Sequence, residues 1–441
     1  MPQQRSTIEL ESSVPIQTPK HTIVMLTVRE AEAILFNLVR PLDNQRDVEV
    51  VDLLNATGRI LATPVTSKLD FPHWDNSAMD GYAVRYEDVR DCSTSRPTVL
   101  DIIEEIPAGT LPENTVKSGQ ASRILTGSMM PQGADTVVMQ ENTQREGNCV
   151  SICVPPKEAG DFVRHRGAFY QAGTTLIEAG VRLQPAEIAV LAAAQCPKVR
   201  VYRQPRVAIL STGDELTTPD KPLQPGQIVD SNQYALTSFL MQLGIEPLRL
   251  GIVGDNPDEL QQAIADAIYW GDAVLSTGGV SVGDYDYVEE VLAKLGGTIH
   301  IRSVAVKPGK PLTVATFGKK NVLYFGLPGN PVSALVSAWR FVKPALQKLG
   351  GLSSGWEPVF VEAVTRSALK SDGKRETYLW GKLSLQKGNY EFEVASGSHS
   401  SGNLINLAQT NGLAMVPVDT TNVAAGDRIL VLQVGSVSRQ G

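Results

Sequence analysis

The sequence predicts a multidomain protein of the α/β and β classes: a central three-layer α/β/α domain with a mostly parallel sheet, an inserted small β domain, a discontinuous N-terminal linker domain and a C-terminal β-barrel-like domain. Three observations carry that reading. Between 206 and 350, apolar runs end in Gly- or Pro-rich loops and alternate with helical patterns. Upstream, to about 154, short strand-like runs are punctuated by Pro107-Ala108-Gly109 and Pro131-Gln132-Gly133. Downstream, 358–434 alternates apolar and polar residues with frequent glycine. The expected boundaries are 1–20 for a lead, 21–60 plus 160–205 for the discontinuous domain, 61–159 for the inserted β domain, 206–350 for the α/β domain and 356–441 for the last β domain.

Residues 1–20 are polar, carry Pro2 and Pro15, and read as a disordered lead. Thr27-Val28-Arg29-Glu30 fits a capping box, and Val28, Ala31, Ile34, Leu35 and Leu38 follow at helical spacing, so the first firm helix starts there. Asp75-Asn76-Ser77-Ala78-Met79-Asp80-Gly81-Tyr82-Ala83 has neither helical nor strand periodicity; it reads as a hydrogen-bonding loop, either a structural turn or a polar site. The runs 122–125, leading into Thr126-Gly127, and 136–139 read as strands. Arg164-His165-Arg166-Gly167 is a basic patch that suits a solvated face or an anion. Residues 185–195 are helical again, with Ala186, Ile188, Ala189, Leu191 and Ala192 at the right spacing. A β domain separates this helix from the one at Thr27, so the two are expected to pack together.

Within 206–350 the runs 207–210, 273–275, 304–306 and 321–325 each reach a loop. The loops are Ser211-Thr212-Gly213-Asp214-Glu215, then Ser276-Thr277-Gly278-Gly279 continuing through Ser281 to Asp284 and Asp286, then Lys307-Pro308-Gly309-Lys310-Pro311, then Gly326-Leu327-Pro328-Gly329-Asn330-Pro331. Helical patterns lie at 233–243, 258–270, 287–295 and from Val332 onward, the second opened by Asp255-Asn256-Pro257. Alternating strands and helices imply right-handed crossovers, which put the carboxyl-end loops on one sheet edge. Gly-rich backbone and helix N-termini favour anions, and Lys307 and Lys310 add positive charge. Asp214, Glu215, Asp255, Asp284 and Asp286 suit a hard divalent cation. Together they suit a nucleotide or pyrophosphate carried with magnesium. Taken singly, each carboxylate is as readily a helix cap or a solvated surface group, and tight βα turns use the same Gly and Pro for structural reasons. In the last β stretch, Arg375 and the loop Gly397-Ser398-His399-Ser400-Ser401-Gly402-Asn403 stand out, with His399 reading as a surface histidine rather than a ligand.

With 441 residues, 42% apolar and 20% charged, the chain has enough apolar content for two to four real cores. A net charge of −7 argues against general affinity for nucleic acid or anionic membrane, so any anion site must work by local placement. Cys92, Cys149, Cys153 and Cys196 are dispersed, lack neighbouring histidines at zinc spacing, and read as reduced thiols of a cytoplasmic protein. No apolar stretch approaches the length of a membrane helix, and no signal-peptide pattern opens the chain.

The stretches 75–83, Leu125-Thr126-Gly127, 211–216, 276–287, 307–311 and 326–333 occur in one order that resembles the molybdopterin molybdenumtransferase family, the molybdenum insertases that include the E domain of gephyrin. The resemblance runs from about 26 to 434, and its specificity lies in the set rather than in any one motif. It implies a reaction of adenylylated molybdopterin with molybdate and Mg2+ that yields molybdenum cofactor and AMP. It also implies an elongated four-domain homodimer with shared active sites and a separate adenylylating protein as a possible partner. Matching motifs imply catalytic roles for Asp75, Thr126, Glu215, Asp255 and Asp286, with Asp75 and Thr126 acting across the dimer interface and the last three also facing Mg2+. They imply substrate binding by Gly213, Asp214, Ser276, Gly278, Gly279, Ser281, Pro328, Gly329, Asn330 and Pro331, and molybdate binding by Lys307, Lys310, Pro311, Ser333, Arg375 and Ser401.

One position departs from the family pattern. After Arg164-His165-Arg166-Gly167 the family carries an acidic pair, whereas this chain has Ala168 and Phe169. Either a neighbour such as Asp161 compensates, or the acid is dispensable, or the chain is less active. Two other readings stand beside the insertase: a molybdopterin adenylyltransferase of the same sheet fold, which would need only the sheet domain and so leaves the Asp75 loop and the last β domain without a use, and a non-catalytic molybdopterin- or molybdate-binding scaffold, to which the missing acid lends weight.

Overall fold

A computed structural model of the chain describes residues 25–279 and 288–439. The lead at 1–20 and the expected site residues Ser281, Asp284 and Asp286 lie outside the described residues. The described residues fall into two compact units, one drawn from 25–41, 204–279, 288–350 and 355–439, the other from 42–203 and 351–354.

The first unit holds the predicted α/β sheet. Its six strands run in the order Glu246–Val253, Arg206–Thr212, Ala273–Thr277, Val322–Leu327, Pro311–Phe317, Thr298–Ser303. The first four are parallel neighbours and the last two pairings are antiparallel. Strands 206–212, 273–277 and 322–327 are buried along nearly their whole length, which is why they read as unbroken apolar runs. Helix Ser231–Gln242 starts at Asp230, whose carboxylate accepts from the Gln233 amide, and helix Pro257–Trp270 starts at Asn256 with Pro257 in the first turn.

Following this domain in the same unit, five strands close on themselves. Glu376–Gln386 pairs Asn389–Val394, which pairs Phe360–Thr365, then Arg428–Gln433, then Gly412–Val416, which returns to 376–386. That closure is the barrel-like β domain of the prediction, and Leu383, Phe392, Ala414 and Val431 fill it.

Helix Val28–Leu38 needs a correction. Its capping box forms as expected, with Thr27 and Glu30 exchanging hydrogen bonds. Its apolar stripe, however, enters the core of the α/β unit: Val28, Ala31 and Leu35 pack with Val207, Phe239 and Val342. The helix Pro185–Ala193 instead seats Leu191 with Ala56, Leu61 and Val201 in the other unit. Spacing gave each helix a buried face but not its destination.

The second unit contains a six-stranded sheet in the order Thr136–Met139, Gly81–Val84, Gln120–Ile124, Thr98–Ile106, Cys149–Ile152, Thr143–Glu146. Part of the stretch 75–83, read above as loop, is strand: 81–84 sits between two neighbours with all four residues buried. Burial on both faces removed the alternation that would have marked it. The pair Asn76–Ser77 and Val163–Arg164 forms a second short ladder in this unit.

Candidate active site

A cleft of about 890 Å³ opens at the carboxyl-end edge of the α/β sheet, within the first unit. It is lined by four strand-end loops and by the barrel. Strand 206–212 delivers Thr212 and Glu215; strand 273–277 delivers Thr277, Gly278 and Gly279; strand 322–327 delivers Pro328, Gly329, Asn330 and Pro331. Two loops meet backbone to backbone here. Gly278 has φ +88°, and a Cβ there would sit 2.4 Å from the Thr212 carbonyl, so no side chain fits. The Gly329 loop is fixed from below by Asn232, whose amide donates to the Gly329 carbonyl at 2.7 Å.

The cationic end is built by two domains together. Strand Val306–Lys307 leaves the sheet and pairs in parallel with Glu376–Thr377 of the barrel. This brings Lys307, Lys310 and Arg375 into one cleft with Ser333, Ser401 and Pro311. Lys307 Nζ donates to Asp372 at 2.9 Å, and that hydrogen bond, with the Lys374 amide, holds the Asp372 carboxyl below its ordinary value. Arg375 lies 4.0 Å from the same carboxylate and donates to the Val306 carbonyl at 3.3 Å. Gly309 rests directly on the helix beneath, where a Cβ would meet Ser337 Oγ at 2.7 Å.

That helix begins at Pro331, and its first turn is already partly used. The Val332 amide donates to the Ser401 carbonyl at 3.1 Å, which ties the barrel loop to the start of the helix and seats Ser333. The helix N-terminus expected above to favour an anion thus has one first-turn amide already taken.

Other expected residues are placed differently. Ser276 is fully buried and its hydroxyl bonds Tyr324 Oη, so Thr277 rather than Ser276 faces the cleft. Asp214 accepts from the Asp255 amide at 3.1 Å and braces the neighbouring loop instead of lining the cleft. Asp255 is exposed and also off the lining, while Gly213 lies behind Glu215, whose carboxylate folds to within 2.4 Å of its notional Cβ. His399 is the main surprise: it lines the cleft, with its ring 4.4 Å from that of Trp380 and Nε2 bonded to the Ala395 carbonyl. Thr212, Asn232, Lys370, Thr377, Tyr378 and Trp380 also line it and were not foreseen.

Three family models match the chain in order. The MoeA N-terminal region (domain I and II) matches 26–194, the probable molybdopterin binding domain matches 208–348, and the MoeA C-terminal region (domain IV) matches 362–434. The molybdopterin molybdenumtransferase of a Nostoc species is 59% identical over 98% of this chain and 99% of its own. That of Haemophilus influenzae is 35% identical over 92% of this chain and 98% of its own. This chain belongs to the MoeA family of molybdopterin molybdenumtransferases. The crystal structure of a molybdopterin biosynthesis MoeA protein from Pyrococcus horikoshii OT3 superposes with a TM-score of 0.79 at 29% identity, covering 93% of this chain and all of that one.

Two residues expected in the MoeA site, Asp75 and Thr126, belong to the second unit, where both are already engaged. Asp75 accepts from the Arg166 amide at 2.7 Å and from His165 at 3.2 Å; burial pushes its carboxyl up, but these bonds outweigh it and hold it below its ordinary value. Asp80 accepts from both the amide and the hydroxyl of Thr126, at 2.7 and 2.8 Å, which likewise lowers the Asp80 carboxyl. Asp70 binds Arg166 Nε at 2.7 Å and the Ala172 amide at 2.8 Å. The acids beside the basic patch are therefore Asp70 and Asp75. Asp161, named above as a compensating neighbour, is spent on the Lys157 amide. Phe169, in the family's acidic place, is 64% exposed and leans on Phe71 at 5.7 Å between ring centroids.

Among the described residues, no group of three or more His, Cys, Asp or Glu side chains stands ready to hold a metal ion. Magnesium does not require one. It keeps several waters and is commonly bound through one or two carboxylates together with substrate phosphates. Glu215 on the cleft wall fits that use.

Proposed function

We propose that the cleft takes adenylylated molybdopterin and molybdate, transfers molybdenum to the dithiolene and releases AMP. The chain is an enzyme of molybdenum cofactor biosynthesis, a molybdopterin molybdenumtransferase, on the strength of its family and its 59% identity to the Nostoc enzyme. The observation that supports the finer reading is the local charge. Lys307, Lys310, Lys370 and Arg375 line one cleft in a chain of net charge −7, with Glu215 the one carboxylate on its wall among the described residues. Molybdate and phosphate are compact oxyanions, and clustered cations with hydroxyls from Ser333 and Ser401 suit either.

In this reading Lys307, Lys310 and Arg375 hold molybdate, with Ser333, Ser401 and Pro311 shaping the pocket. The glycines at 278, 279 and 329 let the pyrophosphate approach the backbone. The dithiolene sulfurs attack molybdenum, an oxo group takes up protons and leaves as water, and water cleaves the adenylyl linkage. The protein's share is positioning and charge stabilisation. Magnesium, when bound, would neutralise phosphate charge, with Glu215, Asp255 and Asp286 as its protein ligands. Asp75 and Thr126 would serve the site of a partner subunit in a cytoplasmic homodimer, and a separate adenylylating protein would supply the substrate. The four-domain division with boundaries near 60, 160, 205 and 356 belongs to the same proposal, amended by assigning the helix 28–38 to the sheet.

The test is AMP release and metal incorporation by the purified chain with adenylylated molybdopterin, molybdate and magnesium. Molybdate-dependent release supports the reading. Adenylylation of free molybdopterin instead would favour the adenylyltransferase, and molybdate binding with no release would favour the scaffold.

A further inference from the structure

We propose that Arg340 is a positioning residue for the oxyanion end of the cleft, holding the strand that follows Arg375 and carries Thr377 through the chain Glu32–Arg340–Tyr378–Glu376, whose two middle members are buried. The inference rests on the reading of the cleft given above.

The helix that starts at Pro331 runs as α-helix to Ser337, widens into a π turn over Ala338–Val342 and resumes as α-helix over Lys343–Leu349. Such widened turns insert a residue and re-aim the side chains that follow. Here the turn carries Arg340 into the core: it is 5% exposed, beside Phe341 at 1% and Val342 at 0%. A buried guanidinium is tolerated only when it is answered. Arg340 Nε donates to Tyr378 Oη at 2.7 Å, Nη1 donates to Glu32, and the guanidinium carbon lies 5.4 and 5.3 Å from the ring centroids of Phe341 and Phe360. Burial works against this charge, but Glu32 and Tyr378 outweigh it and hold the guanidinium protonated, above its ordinary value.

Tyr378 passes the constraint on. Its hydroxyl donates to Glu376 Oε1 at 2.6 Å, and Glu376 stands opposite Val306 in the strand pair that sets Lys307 opposite Thr377. The Glu376 amide also donates to the Ala305 carbonyl at 3.0 Å. Fixing Tyr378 therefore fixes the spacing between Lys307 and Arg375. An apolar residue at 340 with Phe at 378 would fill this core without desolvating a charge, so the polar chain answers a need for placement rather than for packing.

The test uses the full-length chain as Tyr378→Phe, Arg340→Met and Arg340→Lys. Hydrogen exchange over 372–380 and 304–310 is followed without substrate, with molybdate KM and kcat measured beside it. In Arg340→Met, exchange over 372–380 should quicken and molybdate KM rise roughly tenfold, with kcat within about twofold, and Tyr378→Phe should quicken the same exchange and raise KM. Arg340→Lys keeps the charge but loses the fork, and should fall between them and the wild type. If Arg340→Met does not fold, Tyr378→Phe decides alone, since it removes one oxygen. A Tyr378→Phe chain with wild-type exchange and KM, whatever its melting temperature, overturns the proposal. Absence of molybdate-dependent turnover in the wild type would sink the reading of the cleft, and the exchange data would still decide whether Arg340 holds the strand.

Discussion

The sheet-edge cleft and the Asp75 region hold most of the chain's suggestive polar residues, and they differ in how far those residues are already satisfied. In the cleft, Lys307, Lys310, Lys370 and Arg375 share the lining with Glu215, and among the described residues only Lys307 and Arg375 have an acid in ion-pair reach, Asp372. Around Asp75, every acid has a partner: Asp70 and Asp75 hold the segment 165–172, and Asp80 holds Thr126. Unanswered charge marks a place for a ligand, whereas answered charge marks a scaffold. Two sets of residues that motif matching treats alike thus differ in what they have left to offer: the cleft keeps cations free of a protein acid among the described residues, while the acids around Asp75 are bonded to their own loops.

The largest expected effect falls where charge is least answered. Lys310 is exposed, and its ammonium makes no ion pair among the described residues. Lys310→Ala should weaken molybdate binding roughly 30-fold by calorimetry, the worth of a charge-assisted hydrogen bond of about 2 kcal/mol. Lys307→Ala should cost less, because Asp372 already takes part of that charge. AMP binding should fall less than molybdate binding in both; equal loss of the two ligands would move the oxyanion pocket elsewhere.

The next effect asks whether the Asp75 region does more than scaffold. Asp75→Ala and Glu215→Ala chains should each be impaired in insertion. Mixed as a dimer with shared sites, half the dimers are hybrid and each hybrid keeps one intact site, so turnover should recover to about a quarter of wild type. No recovery would leave Asp75 as a scaffold residue of its own subunit.

Much of this was legible in the sequence for a physical reason. Apolar runs ending in glycine and proline are local signals, and they located three of the sheet's six strands, its loop edge and the loops at 212–215, 277–279, 307–311 and 328–331, whereas the run 304–306 is no strand of the sheet and 246–253, 298–303 and 311–317 went unread. The closed β domain also showed, through alternation. What stayed hidden was contact between residues far apart in the chain. Nothing local marks Lys307 as the partner of Asp372, 65 positions on, or His399 as a neighbour of Trp380. Arg340 reads as one polar residue on a helix, and only the π turn sends it inward. The strand 81–84 was missed because burial on both faces erases alternation.

The smallest expected effect separates the two regions by acid. The carboxyls of Asp70, Asp75 and Asp80 are all held below their ordinary values, chiefly by the Ala172, Arg166 and Thr126 amides. A depressed folded-state value means the unfolded chain binds protons first as pH falls. The contribution is therefore complete above the unfolded carboxylate value near pH 4 and is lost as pH drops through the depressed ones. Between pH 5 and 8 the bonds from these backbone amides should be insensitive to pH. Below about pH 4 the segments 70–80 and 163–172 should loosen together, reported by the fluorescence of half-exposed Trp74 against a Trp74→Phe control. Asp75→Asn should shift that transition modestly, since the acid is surface-exposed and solvent screens it. If the wild type instead loosens well above pH 5, groups other than these carboxylates hold the two segments together, and the scaffold reading of this region fails.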